Sequence, residues 1–332
     1  MSETHSTAGA AFRGVIAGPA ESGAIRARVL DGMARDRVPG FSFSGHFLDT
    51  TWPRIGSDSA EVSIPLGPHC ADPDGRMELT ALLMTLDAAL ATPTRLFIHP
   101  GERIATTHMH VQFTGAPVEG RLDADAVFEG FTQGDAVGQL LSRGVASAGG
   151  ARVCHGSASF MRLPPPPGTR VLAPLPWQRT EAVEVPVLGE ADLDERERAI
   201  LARCDGALAG EFAGESFARR FWDIAPRRDE GGAVTRTVTG PHLANRVGHV
   251  QGGILLGLVA ETARAAVPRH GVFSSLSAWF LSPGRGAALE CRACIVHQGR
   301  SFAVVRTEIT GDGGVRVMEA MSAHATAEPP GR

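Results

Sequence analysis

One pattern is written twice in this chain, and any fold must accommodate both copies. In the first half, Leu79, Leu82, Leu83, Met84, Leu86 and Leu90 mark an apolar helix that carries one carboxylate, Asp87. In the second half, Gly252 through Ala263 mark another, and its carboxylate is Glu261. After each helix come a short loop and an alternating, strand-like run, 104–113 in one copy and 274–281 in the other. Both copies then turn through Gly and Pro, at Gly115 and Pro117 or at Pro283 and Gly284. Longer strands come next, 122–131 and 137–146 against 288–297 and 301–310, and strands 151–160 and 315–324 close each copy. A helix apolar on every side has to be wrapped, and alternating strands offer one apolar face to wrap it. The expectation is an α+β chain in which a helix and then an antiparallel meander are used twice.

Between the copies, Leu163 leads into prolines at 164–167, which cannot continue a strand ladder and form a stiff, extended connector. The charged stretch 190–203 has helical spacing and predicts a surface helix packed on that linker. Residues 1–35 are rich in Gly and Ala with little periodicity and are expected to form an N-terminal extension. The resulting division is 1–35 extension, 36–163 first domain, 164–215 linker with surface helix, and 216–328 second domain.

A chain of 332 residues, 43% of them hydrophobic, can bury a core for two such units. A formal net charge of -4 gives no general attraction to nucleic acid or to an anionic membrane. The polar start lacks the pattern of a secretory signal, and no apolar run approaches the roughly 18 to 20 residues of a bilayer helix. Five cysteines, an odd number, point to reduced thiols and a cytoplasmic setting. Cys291 and Cys294 would face opposite sides of one strand, which suits neither zinc nor a redox pair.

The densest chemistry lies at Asn245, Gly248, Gln251, Gly252 and Gly253, which run directly into the second apolar helix. A helix start leaves backbone N–H groups unpaired, and glycines let a ligand oxygen approach them. Such a mouth suits an oxyanion.

This Asn-x-x-Gly-x-x-Gln-Gly-Gly entrance, the buried helix behind it and the antiparallel sheet resemble the hotdog-fold thioesterase superfamily. The tandem copy is similar to its double-hotdog acyl-CoA thioesterases, over about residues 40–163 and 216–327. The resemblance implies two hotdog domains forming an intramolecular pseudo-dimer, free to stand alone or to pair again as a homo-oligomer. It implies an enzyme of lipid metabolism that hydrolyses an acyl-CoA thioester at a site shared between the halves, with no cofactor and no metal. Carried over by position, Asn245, Gln251, Gly252 and Gly253 come from the second half, and Asp87 and Thr106 from the first.

In that reading Asp87 is the base or the nucleophile, and the Gly252 and Gly253 N–H groups hold the oxyanion. Gln251 and Asn245 position the carbonyl or a water, and Thr106 shares that water. Each residue also has a plain structural reading: a seam contact for Asp87, a turn for Asn245, close helix packing for the glycines and ordinary strand chemistry for Thr106. Glu261 belongs to a reciprocal site whose first-half entrance, 68–77, lacks the Asn-x-x-Gly frame and the paired glycines; it is either catalytic there or part of a polar network. Arg246, Arg285 and Arg300 are the positional candidates for CoA phosphates. His108, His110, His249 and His324 are read as structural. Two alternatives stay open: a catalytically decayed acyl-CoA-binding or assembly protein, and a hydratase or dehydratase of the same fold. The latter is disfavoured because Thr92 stands where the expected His would come after Asp87.

Overall fold

Alternating strands from both halves join one antiparallel sheet in the computed structural model, which describes residues 19–99, 101–132, 138–164, 172–181, 183–209 and 215–326. The first half supplies β1 (Thr51–Ile55), β2 (Ser59–Pro65), β3 (Arg103–Phe113), β4 (Arg121–Phe131), β5 (Leu140–Ala148) and β6 (Ala151–Leu163). The second supplies β7 (Arg227–Asp229), β8 (Gly232–Val238), β9 (Val272–Phe280), β10 (Ala288–Gln298), β11 (Phe302–Thr310) and β12 (Arg316–Ala325). Twelve strands run in the order β1-β2-β4-β5-β6-β3-β9-β12-β11-β10-β8-β7. Outward from the central β3·β9 pair, the two halves trace the same path, so the sheet carries a pseudo-twofold axis at its middle. At that seam Met109 faces Ala278 and Val111 faces Leu276, and all four are buried. His108 and His110 alternate to the other face, where His108 packs on Trp279 and His110 Nδ1 lies 2.7 Å from Ser277 Oγ.

The meander expected after each helix is present, but the unit is larger. Each copy also places a hairpin ahead of its helix, β1–β2 and β7–β8, at the outer edges of the sheet. Short helices precede those hairpins: α2 (Phe43–Phe47) and α5 (Phe217–Phe221). Their rings meet each other, with Phe47 to Phe221 at 5.0 Å between centroids. Just beyond each stands an aspartate with positive φ, Asp49 and Asp223.

The two central helices are α3 (Leu79–Thr94) and α6 (Gly252–Ala266). Each covers its own half of the sheet, and they pack antiparallel on each other. Glycine sets how close they come. A Cβ on Gly253 would lie 2.4 Å from Met84 Cα, and one on Gly257 would lie 2.3 Å from Thr80 Oγ1. Buried hydroxyls within these helices bond back to the preceding turn, as Thr85 does to the Ala81 carbonyl and Thr262 to the Leu258 carbonyl.

The N-terminal segment departs from expectation. Pro19–Asp36 forms a helix, α1, in the extension where little periodicity was expected. Ile25, Val29 and Met33 recur every four residues and are fully buried, so the helix has an apolar stripe despite its Gly and Ala content. The charged helix α4 (Glu195–Ala209) packs on α1, joined by Arg37 to Glu197 and Arg26 to Asp205. The prolines at 165–167 lie outside the described residues. Among the described residues no helix is long and apolar enough to cross a membrane. The cysteines are free, and Cys291 is buried while Cys294 is exposed.

Candidate active site

The turn 245–248 positions the entrance of α6. Asn245 Oδ1 accepts the N–H groups of Val247 at 3.0 Å and His249 at 3.1 Å, and Gly248 closes the turn with a φ of 83°. The Asn245 carboxamide oxygen is therefore spent on the turn that leads into Gln251 and the paired glycines. Gln251 is the N-cap: its Oε1 accepts the Ile254 N–H at 3.0 Å. That bond fixes which end of the amide faces outward. Its Nε2 donates to Asp87 Oδ2 at 3.0 Å, across the interface between the halves.

Asp87 sits midway along α3 and is 8% exposed. The Thr106 hydroxyl donates to its Oδ1 at 3.4 Å, and the Gly253 N–H also points at the carboxylate. Burial raises its pKa from 3.8 to about 6, and it is held from rising further by Arg95, Thr106, Gly253 and Gln251. A Cβ on Gly252 would come 3.0 Å from Asp87 Oδ2, so glycine keeps the space beside the carboxylate open. Among the described residues the Gly252 N–H, first in the helix, has no protein acceptor. Asp87, Thr106, Gln251, Gly252 and Gly253 thus meet at one place.

Two adjoining cavities open there. The inner one, about 550 Å³, runs from Asp87, Thr106, Gln251 and Gly252 along α3 to Arg95, walled by Trp52, Ile104 and Phe160. The outer one, about 710 Å³, shares Asn245, Arg246, His249 and Arg285 with it. Of the expected phosphate contacts, Arg246 and Arg285 line both cavities. Arg300 lines neither; it sits on the turn between β10 and β11. Arg95, Arg103, Trp52 and the segment from Leu172 to Trp177 also belong to this wall, and sequence reasoning missed them. No local motif marks them.

The reciprocal entrance lacks the Asn-x-x-Gly frame and the paired glycines, yet it forms the same turn. Asp72 Oδ1 accepts the N–H groups of Asp74 and Arg76, and Gly75 has a φ of 76°, so a carboxylate replaces the carboxamide of Asn245 in the same frame. Glu78 stands where Gln251 stands in the other copy, and Leu79 and Thr80 replace the paired glycines. Glu261 faces this entrance but is one position past Ala260, the residue equivalent to Asp87. Its Oε2 binds Arg264 at 2.6 Å and Arg219 at 3.0 Å, while Ser216 donates to Glu78. Burial, and then repulsion from Glu261, raises the pKa of Glu78. Glu261 is thus a member of an ionic network in which its Oε1 and the Arg219 Nε are buried without a partner among the described residues.

His324 is buried with Nε2 2.8 Å from Ser322 Oγ, and His249 lines the cavities. Among the described residues no cluster of His, Cys, Asp and Glu could hold a metal ion.

Residues 241–327 match a family described as the acyl-CoA thioesterase N-terminal domain. A protein assigned as an oleoyl thioesterase from Lactobacillus plantarum is 12% identical, with a TM-score of 0.52 over 82% of this chain and 97% of that one. The 12:0-ACP thioesterase of Umbellularia californica is 11% identical, with a TM-score of 0.51 over 80% and 93%. These two likenesses show the fold. A Bacillus halodurans protein whose structure contains CoA is 28% identical, with a TM-score of 0.39 over 42% of this chain and 99% of that one. No curated protein matches the chain in sequence.

Proposed function

We propose that this chain, a hotdog-fold thioester hydrolase by its fold and by the family matched in its second half, hydrolyses acyl-CoA at one composite site. The observation that carries this reading is the cross-half contact of Gln251 Nε2 with Asp87 Oδ2 at 3.0 Å, beside a glycine entrance and two joined cavities.

The CoA nucleotide would occupy the outer cleft, with Arg246 and Arg285 at its phosphates. The acyl group would enter the inner cavity. The thioester carbonyl would then lie at the N-terminus of α6, where the unpaired Gly252 N–H and the helix dipole favour a developing negative charge. Asp87 is ionised at neutral pH and serves as the base. A water placed between Asp87 and the Thr106 hydroxyl gives its proton to the carboxylate as its oxygen attacks the carbonyl carbon. When the C–S bond breaks, the sulfur takes up the proton from Asp87, leaving free acid and free thiol. Gln251 keeps the carboxylate oriented and ionised through its amide.

Thiol release from a panel of acyl-CoA thioesters, measured for the native chain and for Asp87→Asn, tests this. The native chain should release thiol, and the variant should lose activity by about 10²–10⁴-fold. A native chain that binds acyl-CoA without releasing thiol would sink the hydrolase reading. Undiminished turnover in Asp87→Asn would sink the residue assignment.

A further inference from the structure

The inner cavity holds an imbalance of charge that thioester hydrolysis alone does not use. Asp87, Ala88, Ala91, Thr92 and Arg95 form one stripe of α3 and the turn that continues it, and all line the cavity. The Arg95 guanidinium makes no hydrogen bond or ion pair within 4 Å with any described residue. On the same cavity wall Arg103 has a buried Nε without a partner, and the Arg246 side chain has, among the described residues, a single bond, to the Gly40 carbonyl at 3.3 Å. Burial lowers the Arg95 pKa to about 10; Arg246 pushes the same way and Asp87 opposes. Four arginines, Arg95, Arg103, Arg246 and Arg285, thus line a cavity whose one carboxylate among the described lining residues is Asp87. Arg95, Arg103 and Arg246 are half-buried, and a cation drawn partly out of water is costly unless it is paired or used.

We propose that Arg95 holds a carboxylate at the far end of the acyl group, so that the preferred substrate is a short dicarboxylic acyl thioester. This rests on the thioesterase reading above.

Distance selects the class of anion. Eight residues of helix separate Arg95 from Asp87, a rise of roughly 12 Å, and a long side chain on a helix leans back toward the N-terminus. The guanidinium can therefore come within about 5–10 Å of the reacting carbonyl. The phosphates of CoA are separated from its sulfur by the whole pantetheine arm, and Arg246 and Arg285 on the outer cleft are placed for them. A glutaryl or adipoyl group bridges the shorter gap, and a planar guanidinium pairs with its carboxylate through two parallel hydrogen bonds.

The test compares glutaryl-CoA with pentanoyl-CoA, matched in chain length, on the native chain, Arg95→Met and Arg95→Lys. The native chain should favour glutaryl-CoA by about tenfold or more in kcat/KM, the scale at which an unpaired polar site rejects an apolar analogue. Arg95→Met should collapse that preference through KM for glutaryl-CoA, and Arg95→Lys should restore part of it. The proposal is overturned by a native chain without the preference, or by an Arg95→Met that lowers both substrates equally and leaves their ratio standing. A weaker hold on CoA itself, equal to the loss for glutaryl-CoA, would assign Arg95 to a phosphate and overturn it as well. If no acyl-CoA of the panel is cleaved, the hydrolase reading fails, and calorimetry with free glutarate and pentanoate decides the anion site by itself. Glutarate binding that Arg95→Met abolishes supports the site; no binding by the native chain overturns it.

Discussion

The two helix entrances are built on one plan and have opposite outcomes. Both begin with an Asx residue accepting two backbone N–H groups and a glycine in the left-handed region: Asn245 and Gly248 in one, Asp72 and Gly75 in the other. Both are overhung by a short aromatic helix. At the entrance of α6 that helix is α2, whose middle residue is Gly45, packed against the Phe41 ring, and the inner cavity reaches the helix start beside it. At the entrance of α3 the equivalent residue of α5 is Arg219, which reaches Glu261, and neither cavity extends there. Glu78 for Gln251, Leu79 and Thr80 for the paired glycines, and Arg219 for Gly45 convert a ligand mouth into a sealed ionic network. An internal duplication thus keeps its architecture in both copies while only one keeps an accessible helix start.

Four experiments break or sharpen that comparison. The largest effect is expected at Asp87, which has no carboxylate counterpart at the second entrance. Beyond the loss of turnover, Asp87→Asn should change stability in a pH-dependent way. The folded pKa of about 6 lies above the ordinary 3.8, so the native carboxylate costs stability as it ionises between those values and at all higher pH. Relative to the native chain, Asp87→Asn should gain up to about 3 kcal/mol between pH 4 and pH 7, measured by urea unfolding. No pH-dependent gain would mean that Asp87 is less desolvated than its burial indicates.

Arg219→Met addresses the sealed entrance. Removing one partner from buried Glu261 should cost about 3–5 kcal/mol, and pairing it with Glu261→Gln should recover much of the loss. Unfolding curves of the single and double variants check this; equal losses in both would show that Arg219 acts through packing rather than charge. Next comes Gly253→Ala, whose Cβ would lie 2.4 Å from backbone of Met84. A backbone neighbour cannot step aside, so about 1–3 kcal/mol of overpacking strain is expected, together with a lower kcat. The smallest effect is kinetic: kcat/KM should rise with pH through about 6 as Asp87 ionises. Thr106→Val removes a donor to the carboxylate and should shift that limb to higher pH. A pH-independent rate below pH 7 would remove Asp87 as the base.

The central helices and eight of the strands were legible because their apolar periods are long and uninterrupted. The two outer hairpins were not, since Pro53 and Arg54 break the pattern of β1 and β7 is only three residues long. A clearer signal of them lies in a second set of repeats. Phe43, Phe47 and Asp49 recur as Phe217, Phe221 and Asp223, and Gly67, Pro68 and His69 recur as Gly240, Pro241 and His242. Aligning the halves on these residues brings out the Asp72 turn and the α2–α5 pair. Helix α1 is also readable from Ile25, Val29 and Met33, although its Gly and Ala content disguises it.

The sequence by itself determined two wrapped helices, the glycines that let them touch, and a helix mouth furnished with amides. These arise from local period and from residues whose backbone or side chain permits little else. Only the tertiary structure decided which carboxylate meets which mouth. One residue along a helix turns a side chain by about 100°, so Glu261, next to Ala260, enters an ion network instead of mirroring Asp87. Arg95 is likewise an ordinary arginine in the sequence, and becomes an unpaired cation beside a carboxylate only when α3 and β3 close around the cavity.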